Sequence, residues 1–420
     1  MLFVTELRKH DANLKRLLYG FLTSQVGNTS VRLVLSVMIY ELTGNNSTLA
    51  AGFLVYTLPR MIFSNPMGKF CEKFDPRALM MCLDVIGFFA FIILAIFYQS
   101  WGLALVFFIY ALAETLTVAY NSMMTKLFTK LYQDSNTIND IVTMNMQIVY
   151  LSLAIGPFIS GYLIKWFNIE IALIFNACTF LVSMGCLYKM PTLMENSNIL
   201  KELKDAFNIR DGFGNIENIK IALKIPIIVQ YTTLFLTRSI AYGILNSIMP
   251  VIVLDRFKKG SEGLGHYFTF MVSGAVLGTM LYGRYVKLRV AAEGKQQTIY
   301  IICMALIETM FMYLMFTSEN FVMFLTAGFV STIFMLLVES RFGFIYAYFS
   351  PPDAKARIRS FEIFVKAVGF SIGTLISIFS IKHLNHAILV NITMFLMLIS
   401  LMAFFIRIDT KLKLVSLENS

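Results

Sequence analysis

Gly68-Lys69-Phe70-Cys71-Glu72-Lys73-Phe74-Asp75-Pro76-Arg77-Ala78-Leu79 is a short charged stretch set between two long apolar runs. A polar turn between segments long enough to cross a bilayer must lie at one membrane face, and its Lys and Arg content assigns it to the cytoplasmic one. Composition says that the flanking runs are indeed in lipid. Of 420 residues, 57% are hydrophobic and 14% charged, with a mean hydropathy of +0.71. No soluble interior could hide that fraction, so apolar side chains must face the bilayer. The runs are continuous rather than alternating, which selects helices over a barrel.

Outward from that turn, the apolar segments fall at 17–40, 49–67, 78–98, 101–125, 141–165, 170–189, 226–254, 264–286, 297–317, 321–349, 359–381 and 386–406. Each approaches or exceeds the roughly 20 residues a spanning helix needs. Very short turns, Tyr98-Gln99-Ser100 and Thr317-Ser318-Glu319-Asn320, make successive helices antiparallel neighbours. With a cytoplasmic N-terminus, 25 of the 35 Lys and Arg fall on the cytoplasmic side, 5 outside, and 5 in or at the ends of spans. This bias accounts for the net charge of +10 without a nucleic-acid partner. It implies a multi-pass protein of the cytoplasmic (inner) cell membrane with both termini cytoplasmic. The five cysteines lie in or beside spans and read as small buried residues. The N-terminus carries Glu6, Arg8, Lys9 and Asp11 and shows no cleavable signal.

One long break runs from Lys189 to Lys224, with Ile199, Leu203 and Phe207 at helical spacing, as in an amphipathic surface helix. It divides the chain into a first bundle (1–189), a linker (190–224) and a second bundle with a short tail (225–420). The halves echo each other. Gly283-Arg284-Tyr285-Val286-Lys287-Leu288-Arg289 is a degraded copy of the opening turn in the matching place. Gly156-Pro157-Phe158-Ile159-Ser160 has a counterpart in Gly373-Thr374-Leu375-Ile376-Ser377.

The opening turn resembles the signature loop of the major facilitator superfamily at Gly68, Glu72, Lys73 and Arg77. It departs in having Glu for the commoner Asp and Asp75-Pro76 where glycine is expected. The resemblance implies an all-α membrane protein, twelve transmembrane helices in two pseudo-symmetric six-helix bundles, with a binding site between them. It further implies that Glu72 caps the eleventh helix and meets Arg359, and that Asp84 joins the same cytoplasmic latch. The segment with Gly156, Pro157 and Gly161, near the end of the fifth span, resembles the Gly-Pro signature of proton-driven exporters, with Ser152 and Ser160 replacing glycines. Small residues there allow close helix approach. The Ser24-Gln25-Val26-Gly27 run and Leu58-Pro59 agree with the drug- and metabolite-exporting antiporters, including macrolide-efflux and siderophore-exporting groups.

A transporter of this kind needs polar stripes on otherwise oily helices. The first span has Gln25, Asn28, Arg32 and Ser36 on one face, and the fourth has Tyr110, Glu114, Thr117 and Asn121. The seventh carries Arg238, Tyr242 and Asn246, and the tenth Thr332, Glu339 and Tyr346. Gln147 and Lys366 complete the candidate cavity. A charge at bilayer centre costs at least about 2.5–3.5 kcal/mol, so it persists only if paired, wetted or used. Two readings stay open for Arg32, Glu114, Arg238 and Glu339. The arginines attract an anionic group while a carboxylate carries protons, or Arg32–Glu114 and Arg238–Glu339 are structural ion pairs. Glu114 ranks first for proton coupling and Glu339 second. Glu308 is read as a third acid or as packing against the neighbouring half.

The sequence therefore predicts a secondary transporter, not an enzyme, using the proton gradient and no cofactor. It would act as a monomer in the lipid bilayer, exporting a small amphipathic molecule. Arg32 in the first span favours anionic or zwitterionic cargo such as a siderophore or metallophore over a cationic drug. The alternatives are a multidrug or macrolide efflux pump, an uptake permease, and a non-transporting receptor, in which Glu114→Gln and Arg32→Ala would be silent. The 39 Phe and 25 Met read as lipid-facing or packing residues, and His10, His266, His383 and His386 have no ligand spacing. No phosphate-binding glycine loop is present, which argues against direct use of ATP.

Overall fold

The computed structural model describes residues 12–72, 74–131, 135–190, 226–282, 295–349, 355–381 and 386–418. Among them there is no strand. Helix α1 is Ala12–Thr43 and α2 is Asn46–Glu72. Pro76–Leu131 spans 56 residues but is two helices, parted at Gly102 with φ 62° and ψ −152°, a region open essentially to glycine alone. Its arms, 76–101 and 103–131, are α3 and α4. Phe91 and Tyr110 meet edge to face with ring centroids 6.2 Å apart, so the chain doubles back at the glycine. Tyr98, Gln99 and Ser100, expected as the turn, are still helical. The reversal waits for the residue that can adopt its backbone angles.

Then follow α5 (Ser135–Trp166), α6 (Ile169–Tyr188) and α7 (Pro226–Val251). Pro250 lies inside α7, which passes into a π-helical turn, Ile252–Arg256. The remainder are α8 (Gly260–Leu281), α9 (Lys295–Thr317), α10 (Phe321–Phe349), α11 (Lys355–Ser380) and α12 (His386–Glu418). Seven segments of the described residues are long and apolar enough to cross a bilayer, one of them holding both α3 and α4. Phe89, Phe108, Val322, Phe379 and Met402 are each more than half exposed on these helices. Such a surface is stable against lipid, not water.

Two compact units divide the chain. One comprises Met1–Phe213 with Lys258–Thr269, the other Gly214–Phe257 with Phe270–Ser420. In the first, Leu14, Leu17 and Phe21 of α1 pack with Met80 of α3, Met123 and Leu127 of α4 and Ile148 of α5. In the second, Tyr231 and Phe235 of α7 pack with Ile301 of α9, Phe342 of α10, Phe361 of α11 and Phe404 of α12. Methionine thus fills much of the first core and aromatic rings much of the second.

The echo between the halves has a structural cause. A methyl group on Gly156 of α5 would come within 2.6 Å of Val26 O and 2.8 Å of Ser30 N, so the glycine lets α5 lie directly against α1. Thr29 Oγ1 then donates to Ser152 O at 2.6 Å. In the second unit, a methyl on Gly373 of α11 would come within 2.9 Å of Ile240 C and Ile244 N on α7. Each half seats its fifth helix on its first through glycine, the second half with Gly243 and Gly369 as well as Gly373. Gly161 of α5 meets residues 258–269 in the same way: Ser261 Oγ donates to Gly161 O at 3.1 Å and Thr269 Oγ1 to Ala154 O at 3.0 Å. Lys165 pairs with Glu262 at the end of that contact. The linker helix expected around Ile199–Phe207 and the second loop copy at 283–289 lie outside the described residues.

Candidate functional site

In the second unit, α7 presents Arg238 and Tyr242 one turn apart, which places both side chains on one face. Across from them stands Glu308 of α9, with 0% of its surface exposed, while Arg238 is 2% exposed. Arg238 Nη2 forms a salt bridge with Glu308 Oε2, and it donates to Tyr242 OH at 2.9 Å. Tyr242 OH in turn donates to Glu308 Oε1, closing a three-membered cluster. The Arg238–Glu339 ion pair, one of the two sequence readings, is not formed, and Glu308, read as a third acid or as packing against the neighbouring half, is the arginine's partner within its own. Glu339 of α10 is instead held by Lys366 of α11, whose Nζ donates to Oε1 at 2.8 Å and Oε2 at 3.0 Å. Lys366 is half exposed, so this second pair is wetter than the first. Asn246 donates to Tyr242 O at 2.9 Å, and Thr332 to Gly328 O at 2.8 Å.

In the first unit, the Arg32 guanidinium carbon sits 4.1 Å from the ring centroid of Tyr56 on α2, a cation–π contact that steadies the charge. Sequence reading missed Tyr56, because an aromatic in a span carries no mark of such a role. Gln25 Nε2 donates to Asn121 Oδ1 at 3.4 Å, joining the polar stripes of α1 and α4. Glu114 is half buried on α4 and Gln147 half buried on α5. Tyr110 lies in the protein rather than in an open cavity: it is 4% exposed and its hydroxyl donates to Val31 O at 2.8 Å. Asn28 and Thr117 line a narrow cleft together with Asp84 of α3.

A sequence model described as "Major Facilitator Superfamily" matches residues 17–374. The chain belongs to that superfamily. It is therefore a membrane-embedded transporter. Among curated proteins, it is 23% identical to "Putative bacilysin exporter BacE" of Bacillus subtilis (strain 168) over 290 residues, 66% of this chain and 68% of that one. Solved structures of similar fold include a POT family transporter in complex with 5-aminolevulinic acid, with a TM-score of 0.70, 13% identity and coverage of 96% and 97% of the two chains. A mutant form of the nucleoside transporter NupG gives a TM-score of 0.70 at 11% identity, covering 94% and 99%. At such identities the solved structures speak for the fold.

The superfamily's signature loop is only partly described in this chain. Lys73 and the side chains of Glu72, Arg359 and Tyr346 lie outside the described residues, as do the surroundings of Gly68. Arg77 is described, and it closes the end of α6: its Nε donates to Leu187 O at 3.1 Å and an Nη to Tyr188 O at 2.6 Å. A cation on the last carbonyls of a helix satisfies acceptors that have no partner in the helix and opposes the negative end of its dipole. Asp84 is expected in the same latch, whose Glu72 and Arg359 side chains lie outside the described residues. Its residue is 1% exposed in the bundle interior. The signal was present: Asp84 shares a helical face with Met80, Gly87 and Phe91, all buried.

Proposed function

We propose that this transporter is a proton-driven exporter of a small amphipathic molecule, working by alternating access in the cytoplasmic membrane with both termini cytoplasmic. The observation that carries this reading is the buried Arg238–Glu308–Tyr242 cluster. Taking two charges out of water costs several kcal/mol per ion, which good geometry only partly repays, so the pair is a poor choice for stability alone. As a coupling device it has a clear logic. Seated on Glu308, Arg238 gives the carboxylate its counter-charge. A proton taken up by Glu308 from outside, after cargo has left, replaces the arginine as the neutralising partner among apolar side chains. Its release to the cytoplasm re-forms the pair before the next cargo binds, so proton and cargo occupy the carrier in turn and cross in opposite directions. In the first unit, Arg32, held over Tyr56, is a further positive charge on a polar stripe. Glu114 and Glu339 are the other acids in reach of a polar stripe.

Export over uptake is supported by the Gly156-Pro157 segment, which packs on α1, and by the printed name of the BacE relative. The arginines support anionic or zwitterionic cargo, with siderophore-like molecules preferred and lipophilic drugs second. The test is uptake into inverted membrane vesicles under an imposed pH gradient, with a hydroxamate siderophore, a dipeptide antibiotic and a lipophilic cation side by side. Accumulation of an anionic or zwitterionic cargo that collapses with the gradient is expected. Accumulation of none of them, or only without a gradient, would remove the reading.

A further inference from the structure

Asp84 has no part in the cycle above. It lies in the wall of a narrow cleft inside the first unit, with room for a water-sized guest. Helix α1 lends Ser24 and Asn28 to this cleft, α4 lends Thr117 and Tyr120, and most of the remaining lining is hydrocarbon, including Phe91 and Phe180. Neither carboxylate oxygen meets a hydrogen-bond donor among the described residues, and the Ser24 hydroxyl sharing the cleft is also without a partner. Ser183 of α6 comes close, and its hydroxyl lies 3.0 Å from Tyr120 OH, where either oxygen can be the donor.

Among the described residues, the titratable groups that face Asp84 are Tyr120 of α4 and Cys186 of α6, neither of which brings a positive charge. From α1 come only Ser24 and Asn28. Arg16 and Lys189 stand near Cys186, beyond the cleft lining. A carboxylate that meets no donor beyond the approach of Ser183, and no counter-charge among the described residues, cannot stay ionised on its own inside a lipid-embedded bundle. Either a metal cation or a proton must neutralise it. A hard cation needs a shell of oxygens, and this lining is mainly apolar. A proton needs none.

We propose that Asp84 is a proton-binding site within the first unit, the cleft holding the neutral acid and admitting the water through which its proton comes and goes. Its part in transport rests on the antiport reading; the binding of the proton does not.

The test therefore has two arms on the full-length protein. In the first, purified protein in liposomes is titrated by infrared difference spectroscopy, comparing wild type, Asp84→Asn and Asp84→Glu. Asparagine mimics the neutral acid, so that variant is expected to fold. A protonated-carboxyl band that titrates in the wild type, vanishes in Asp84→Asn and returns in Asp84→Glu supports the site. Identical spectra in wild type and Asp84→Asn overturn it. Loss of the band when sodium replaces potassium overturns it too, in favour of a metal cation. In the second arm, inverted vesicles are loaded with whichever of the three cargoes the wild type moves. Asp84→Asn should lose gradient-driven accumulation and keep gradient-independent exchange. Loss or retention of both overturns the role in coupling. A wild type with no gradient-driven transport would sink the antiport reading, while the infrared band would still decide the proton site.

Discussion

The Arg238–Glu308 pair allows a perturbation whose size can be worked from its surroundings. Replacing Glu308 with Leu removes the carboxylate that touches an arginine 2% exposed, leaving the guanidinium with Tyr242 OH at 2.9 Å. Removing one partner of a buried pair costs about 3–5 kcal/mol. Arg238→Met strands Glu308 instead, but the two losses differ in kind. A carboxylate can shed its charge by taking a proton, whereas a guanidinium stays charged throughout the accessible range. The cost of Arg238→Met should therefore shrink as pH falls, and that of Glu308→Leu should not. The double variant, with neither charge, should return to within about 1–2 kcal/mol of the wild type. Reversible unfolding in mixed detergent micelles, run as a double-mutant cycle at two pH values, measures all of this. Single substitutions costing less than about 1 kcal/mol, as surface pairs do, would refute the burial argument. A stable double variant that still moves cargo against a gradient would show the pair to be structural alone.

Other outcomes follow from the packing. Gly156→Leu should disrupt the seat of α5 on α1, costing about 1–3 kcal/mol or more as overpacking against backbone. Gly185→Ala, where an added methyl meets nothing within 4 Å, is the matched control in the same expression and thermal-stability assay. Arg77→Ala should cost about 1 kcal/mol through the open carbonyls of Leu187 and Tyr188, with amide exchange rising at the end of α6, while Arg77→Lys recovers part of it. Glu339→Gln should change stability by less than about 1 kcal/mol, because its half-exposed partner Lys366 is already solvated. A larger loss would mean that this pair is as dry as the one on Arg238.

Much of the fold was legible because lipid imposes a simple rule on sequence: long apolar runs, polar turns, positive charge on one side. The Gly156 and Gly373 echoes could also be read, since both glycines do the same job against α1 and α7. What could not be read was which helices stand side by side. Matching the two halves of the chain offered Glu339 as one possible partner of Arg238, but helical spacing says only which face a residue occupies. The partner comes from α9, whose lone acid, Glu308, stands out as a charge in a span but has no polar stripe around it to say what it meets. The family resemblance assigns Asp84 to the cytoplasmic latch, and its spacing from Met80, Gly87 and Phe91 already places it on an inward face. Gly102 turned the chain where the more polar Tyr98-Gln99-Ser100 did not, because backbone conformation rather than polarity decides where a tight reversal falls.

The most direct measurement follows cargo and protons together. Purified protein in sealed liposomes carrying an internal pH indicator would be given a gradient of an anionic or zwitterionic cargo, and both fluxes recorded. Proton movement opposite to cargo, lost in Glu308→Gln, is the predicted result. Cargo movement with no change in internal pH, or with protons travelling the same way, would contradict the account.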